Sequence, residues 1–293
     1  MVYRKSFGEI LFDCFNYCFL TFLMFITLYP VLHVAFASVS NGTELLIHHG
    51  LLLWPLGFTT EAYTLVFKNP MVIRGYLNTL FVLVFGLLLN MTLTSFGAYF
   101  LSRKNVYWKK TIMLFIIFSM YFHGGLIPFY FTVKGVGLVD SLWALIIPGA
   151  INTFNLILMT TSFSSIPDSL EESAKIDGAN DFVILFRIVL PLSKPIVAVM
   201  LLYYGVYHWN AWFHAMIFLR ERTLYPLQLI LREVLIANDT SSMSFGTGLV
   251  DQEQISESIK YATIMVATLP ILFIYPFLQK YLVKGVMIGA LKG

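Results

Sequence analysis

Apolar residues fall into six long runs, at about 15–37, 76–101, 111–127, 142–163, 195–219 and 261–277, with polar stretches between them. An α-helix needs roughly 20 apolar residues to cross the ~30 Å hydrocarbon core of a bilayer. The pattern therefore predicts an all-α membrane protein with six transmembrane helices. Ala35-Phe36-Ala37 has the small-residue form of a signal-peptide cleavage site. The run before it exceeds the roughly 7 to 15 residues of a signal peptide's apolar region, so it is read as a retained first span.

One central segment, Ser165 to Pro195, reads instead as soluble surface helix. Pro167 suits a first helical position, and Asp168, Glu171 and Glu172 sit where a helix N-terminus favours negative charge. Glu171 and Lys175 are an i,i+4 pair of favourable orientation. Gly178 fits a left-handed stop, Asp181 is placed to cap a second helix from Phe182, and Pro191 is placed to end it. Leu170 and Ala174 share a face of the first helix, and Phe182, Leu185, Phe186 and Val189 form the stripe of the second. From this pattern two readings stand open: docking into a cleft on another protein, or lying on the membrane surface.

Within the spans, Pro148 and Gly149 predict a kink, tolerated where neighbours satisfy the freed carbonyls, and hence a cavity-facing helix. The fifth run carries Tyr203, Tyr207, His208, Asn210, Trp212 and His214. Tyr203, Tyr207, Asn210 and His214 fall near one helical face. Polar groups in hydrocarbon usually face a bundle interior or a wet pathway, and aromatics with polar tips suit sugars. The competing reading is an interfacial aromatic belt with helix–helix contacts. Residues 38–74 read as a short external layer, and the adjacent His48 and His49 as solvated loop residues.

Composition narrows the class. The chain of 293 residues is 58% hydrophobic and 12% charged, against roughly 25% charged in soluble domains. A net charge of +3 spread over loops offers no basic patch for nucleic acid. Cys14 and Cys18 are read as core packing, and no cluster suggests a metal. Of the nineteen Lys and Arg, twelve fall in the N-terminus, the second-to-third loop, the central segment and the C-terminal tail. That asymmetry places those segments, and both termini, in the cytoplasm. The sequence has no G-x-x-x-x-G-K-[ST] to bind ATP and no nucleophile–base motif, so the chain reads as a conduit, not an enzyme. A secondary transporter driven by an ion gradient is the alternative. It would want an intramembrane carboxylate and often repeat symmetry, and neither is evident.

Glu172-Ser173-Ala174, Asp177-Gly178-Ala179, Ile188-Val189-Leu190-Pro191 and Pro195 resemble the "EAA" loop of permease subunits of ATP-binding cassette (ABC) importers, with Ser173 for the usual alanine. Asn78-Thr79 and the run from Gly97 to Arg103 resemble the matching helix of sugar-type permeases. His123 to Pro128, Leu142 to Ala150, His208-Trp209-Asn210, Trp212-Phe213 and Tyr225 to Gln228 resemble the branch handling oligosaccharide and polysaccharide fragments. The resemblance implies a type I ABC importer permease fold. Its layout would be a cytoplasmic N-terminus 1–14 and a single transmembrane domain 15–293, with a cytoplasmic coupling loop 164–194, an external loop 220–260 and a cytoplasmic tail 279–293. It implies Glu172, Ser173, Ala174, Asp177, Gly178, Ala179 and Pro191 in coupling to the ATPase, and Ser242, Phe245 and Gly246 in contact with a solute-binding protein. It also implies a second permease subunit, two ATPase subunits holding ATP and Mg, and no cofactor on this chain. Location in the inner membrane, against lipid, follows. Arg220, Arg222, His208 and His214 near the outer mouth would suit an acidic sugar of the uronate or alginate type.

Overall fold

The computed structural model describes residues 6–236 and 249–290, except for the side chains of 249–256, 277, 278 and 280–290. The described residues are helical or irregular, with no strand. Among the described residues, three helices are long and apolar enough to cross a membrane, or up to five if each of two sharply bent pairs is one span. The chain divides into two compact units, Met1–Pro70 with Glu233–Leu269, and Met71–Arg232 with Pro270–Gly293.

In the first unit, α1 (Phe7–Ser38) starts where the Ser6 N–H donates to the Glu9 carboxylate at 2.8 Å. Only its last residues, Ala37 and Ser38, are buried. Cys14 and Cys18 are exposed, which corrects their assignment to a core. A helix apolar on every side gives periodicity no way to say which side meets protein and which meets lipid. The segment expected as an external layer contains two short helices, α2 (Gly42–Ile47) and α3 (Glu61–Lys68). Hydrogen bonds tie it down: Leu56 N–H to Ser40 Oγ at 3.0 Å, and Leu52 N–H to the Tyr29 hydroxyl at 3.0 Å.

The second unit is built on α4 (Pro70–Ser102), an uninterrupted helix of 33 residues. Many of its buried positions are small or polar, among them Thr79, Gly86, Asn90, Thr94, Ser95 and Ala98. Small residues let neighbouring backbones approach in lipid, where helix pairing gains little from burial of apolar surface. The third expected span is α5 (Lys109–Tyr121), followed after a bend of 113° by α6 (Leu126–Gly135). The break falls at His123-Gly124-Gly125, where Gly125 adopts φ +85°. The fourth expected span is broken, not kinked. A short 3-10 turn, Leu142–Leu145, precedes irregular backbone, and helix resumes as α7 (Thr153–Phe163), capped by Asn152. Pro148 supplies no N–H and Gly149 no side chain, so the segment leaves carbonyls to be satisfied from outside.

The polar segment forms α8 (Asp168–Ile176) and α9 (Asp181–Leu192). Asn180 caps α9, accepting from Val183 N–H at 2.9 Å, so Asp181 is its first residue and not its cap. A π-turn at Leu185–Val189 precedes Pro191, and the helix runs one residue beyond that proline. After a bend of 88° comes α10 (Lys194–Trp209), then α11 (Phe213–Phe218), so the fifth span also breaks, at Asn210. The expected polar loop after it contains α12 (Leu227–Ile236), whose Leu227, Leu229 and Ile230 are buried. The last helix, α13 (Leu249–Ala290), contains Pro270 and Pro276 and takes in both the sixth span and most of the expected tail.

Candidate functional site

The central segment meets the body at the base of α4. Ala174 and Ala179 pack against a buried cluster that includes Ala98, Tyr99, Phe163, Ile184 and Leu185. Gly178 holds φ +81°, and the Ala179 N–H reaches back to the Ala174 carbonyl at 2.9 Å, the bond that closes a helix end with a left-handed residue. A Cβ there would meet nothing within 4 Å. Glu172, Ser173, Asp177 and Gly178 are exposed, as is Pro191 at the bend. Ile176 joins them at 86% exposure. Its apolar side chain on an otherwise polar helix face was the overlooked signal.

The opposite face of α8 is held by charge. Arg103, just past α4, pairs with Glu171, and Lys104 pairs with Asp168. Lys175 Nζ lies 2.7 Å from Glu171 and 3.7 Å from Asp181, whose Oδ1 also accepts from the Tyr99 hydroxyl at 3.2 Å. The Lys104 ammonium lowers the Asp168 carboxyl below the usual carboxylate range, and Asp168 in turn raises Lys104. The Glu171 carboxylate raises Lys175. These residues flank a cleft of about 620 Å³.

Higher in the same unit, Tyr203 and Tyr207 of α10 line a cavity of about 280 Å³ with Tyr204, Gly149, Asn152 and Asn155. The Asn90 side-chain amide donates to the Gly149 and Ala150 carbonyls at 2.8 and 2.9 Å, which satisfies the broken span. The Tyr204 hydroxyl accepts from Asn152 N–H at 3.0 Å and bonds Thr94 at 2.8 Å. Tyr204, Asn152 and Asn155 were missed as cavity residues. The Pro148-Gly149 break and the capping asparagine after it were the available signals.

The six residues expected on one path do not converge. The helix ends at Trp209, so the face projected from Tyr203 through Asn210 to His214 is not formed. Asn210 is exposed and donates to the Val206 carbonyl at 2.9 Å. Trp212 carries the Arg232 guanidinium over its ring at 4.3 Å. His214 sits among Phe129, Phe213 and Phe218, at 5.7 to 5.9 Å between ring centres. His208 is buried on the side of α10 facing α4, with Gly86 beneath its ring. His208 thus turns to α4 and His214 to an aromatic cluster. Ser242, Phe245 and Gly246 lie outside the described residues.

Helices apolar enough to span a membrane, a cavity between α10 and a broken span lined by uncharged residues, and a polar helix held at the base of α4 fit a membrane transport subunit. A family model for the inner membrane component of binding-protein-dependent transport systems matches residues 11–288, and the chain belongs to that family. It is 42% identical to the polygalacturonan/rhamnogalacturonan transport system permease protein YtcP of Bacillus subtilis (strain 168), over 97% of this chain and 99% of that one. Protein LplC of the same organism is 41% identical, over 96% of this chain and 95% of LplC. A chain from the crystal structure of a bacterial ABC transporter involved in the import of the acidic polysaccharide alginate superposes with a TM-score of 0.87. That chain is 30% identical, and the match covers 96% of this chain and 99% of that one. All three matches run nearly end to end, so the likeness extends well beyond the central loop.

Proposed function

We propose that this chain is one of two permease subunits of an ATP-driven ABC importer that takes an oligosaccharide from a solute-binding protein into the cytoplasm. The observation that carries the reading is the two-sided α8: its Glu172, Asp177 and Gly178 edge faces outward, while Ala174, Ala179 and Glu171 hold it to the body. Glu172, Ser173, Asp177, Gly178 and Pro191 form the surface that docks into an ATPase subunit, and Ala174 and Ala179 serve coupling from the inner side, by seating the helix on the body. ATP and Mg are held by two such subunits and none by this chain. The second permease is a different chain, both termini are cytoplasmic, and the membrane is the inner one. Tyr203 and Tyr207 border the route of the sugar, where rings stack on sugar faces and phenol and amide groups meet hydroxyls. Closure of the ATPases moves the coupling helices and shifts the permease pair between inward-facing and outward-facing states.

The sugar is an acidic oligosaccharide. That rests on the polygalacturonan/rhamnogalacturonan and alginate transporters to which the chain is similar, and not on His208 or His214. The test is ATP hydrolysis by the chain purified with its co-purifying permease and ATPase in liposomes, with binding protein loaded with candidate oligosaccharides. Stimulation by a binding protein loaded with uronate oligomers, and not by an empty one, is expected. Uptake that follows an imposed ion gradient without ATP would overturn the reading in favour of a secondary transporter.

A further inference from the structure

The docking surface explains the outer edge of α8 and leaves the inner edge without a role. Arg103 is engaged at all three of its nitrogens. Nη1 pairs with Glu171, Nε and Nη2 lie 3.0 and 2.9 Å from Ser102 Oγ, and Nη2 also reaches the Phe163 carbonyl at 3.4 Å. The guanidinium sits 4.7 Å from the Tyr99 ring centre. Glu171 is equally committed, with one oxygen on Arg103 and the other 2.7 Å from Lys175. The two side chains are only 16% and 15% exposed. Removing either side chain would leave the other, largely desolvated, without its counter-charge across the α4–α8 contact, the costly way to break such a pair. A planar fork held this way fixes direction as well as distance, which a lysine would not.

Above Arg103, α4 continues without interruption to Thr94 and Asn90. At 1.5 Å per residue Asn90 lies about 20 Å up the helix. There it holds the carbonyls of the broken segment, while Thr94 holds Tyr204. One rigid element thus touches the coupling helix at its base and two parts of the cavity wall higher up.

We infer that the Arg103–Glu171 pair is the positioning contact through which movement of the coupling helix reaches α4, and that α4 passes it to the cavity wall through Asn90 and Thr94. The inference rests on the proposed importer function. It makes Arg103 and Glu171 residues of transmission, distinct from the outward residues that meet the ATPase.

The test uses the complete transporter in proteoliposomes and reads sugar uptake per ATP hydrolysed, with yield of assembled complex as a separate measurement. The variants are Arg103→Gln, Glu171→Gln and the two combined. Each single variant is expected to assemble and hydrolyse ATP while uptake per ATP falls by about fivefold or more, the lower end of usual coupling between sites. The double variant is expected to be no worse than the worse single one, because both remove one contact. Arg103→Lys keeps the charge and is expected to show the same fall; it is read in place of Arg103→Gln if that variant does not assemble. Wild-type uptake per ATP in the assembled variants, or losses that multiply in the double variant, would overturn the inference while leaving the importer standing. If the unaltered complex takes up no sugar with ATP, both fall together.

Discussion

His208 Nε2 lies 2.6 Å from Asn90 Oδ1, with both side chains buried between α4 and α10. The Asn90 amide nitrogen is fixed by two carbonyls, so its oxygen must face the imidazole and His208 must donate from Nε2. Asn90 thus joins three parts of the chain. Asn90→Leu strands both the imidazole N–H and the Gly149 and Ala150 carbonyls, at about 1–3 kcal/mol for each buried group left unpaired. His208→Phe strands only the Asn90 oxygen. In detergent, the melting midpoint should fall further for Asn90→Leu than for His208→Phe; the reverse order would show that the broken span finds its partners elsewhere.

Gly178→Asp tests the outer edge of α8. No atom lies within 4 Å of a Cβ at this position, and Asp is among the residues that tolerate left-handed backbone. The variant should reach the membrane in normal amount, while ATP hydrolysis proceeds without sugar uptake. Loss of the protein itself would show that Gly178 serves the fold alone.

Tyr207→Ala removes a ring from the cavity wall. Stacking of about 0.5–1.5 kcal/mol corresponds to roughly 2- to 10-fold weaker apparent affinity for the sugar in uptake assays. Asn210→Ala, at an exposed position past the helix end, should leave uptake unchanged. Equal effects of the two substitutions would separate the cavity from the sugar route.

Asp140 contributes a pH dependence to stability. Its Oδ1 accepts from the Arg220 and Glu221 N–H groups at 2.9 and 3.1 Å, and these bonds hold the carboxyl below the ordinary aspartate range. A lowered folded value means the charged form stabilises the fold. That contribution is present above the unfolded value of about 3.9 and is lost as pH falls through the folded one. Asp140 also sits at φ +63°, which Asn adopts more readily than Ala. At pH 7, Asp140→Asn should melt slightly below wild type and Asp140→Ala lower still. The gap between wild type and Asp140→Asn should close below about pH 4 in melting curves taken across pH.

Apolar run length alone determined that this chain is an all-helical membrane protein, because a bilayer of fixed thickness imposes a length that no soluble core requires. Capping and charge placement determined α8 and its stop at Gly178, since those bonds form between residues a few positions apart. Tertiary structure decided the rest. In helices apolar on nearly every side, periodicity cannot distinguish a lipid-facing residue from a bundle-facing one. That is why Cys14 and Cys18 lie outside and why His208 turns to Asn90 while Tyr203 and Tyr207 line the cavity. The break at Pro148-Gly149 became a full interruption because Asn90, 59 residues away in sequence from Gly149, supplies the missing hydrogen bonds. Arg103 and Glu171 each looked like an ordinary loop or helix charge. Only folding brings them together across 68 positions, with their other hydrogen-bonding groups satisfied, so that two charges can share a largely covered site.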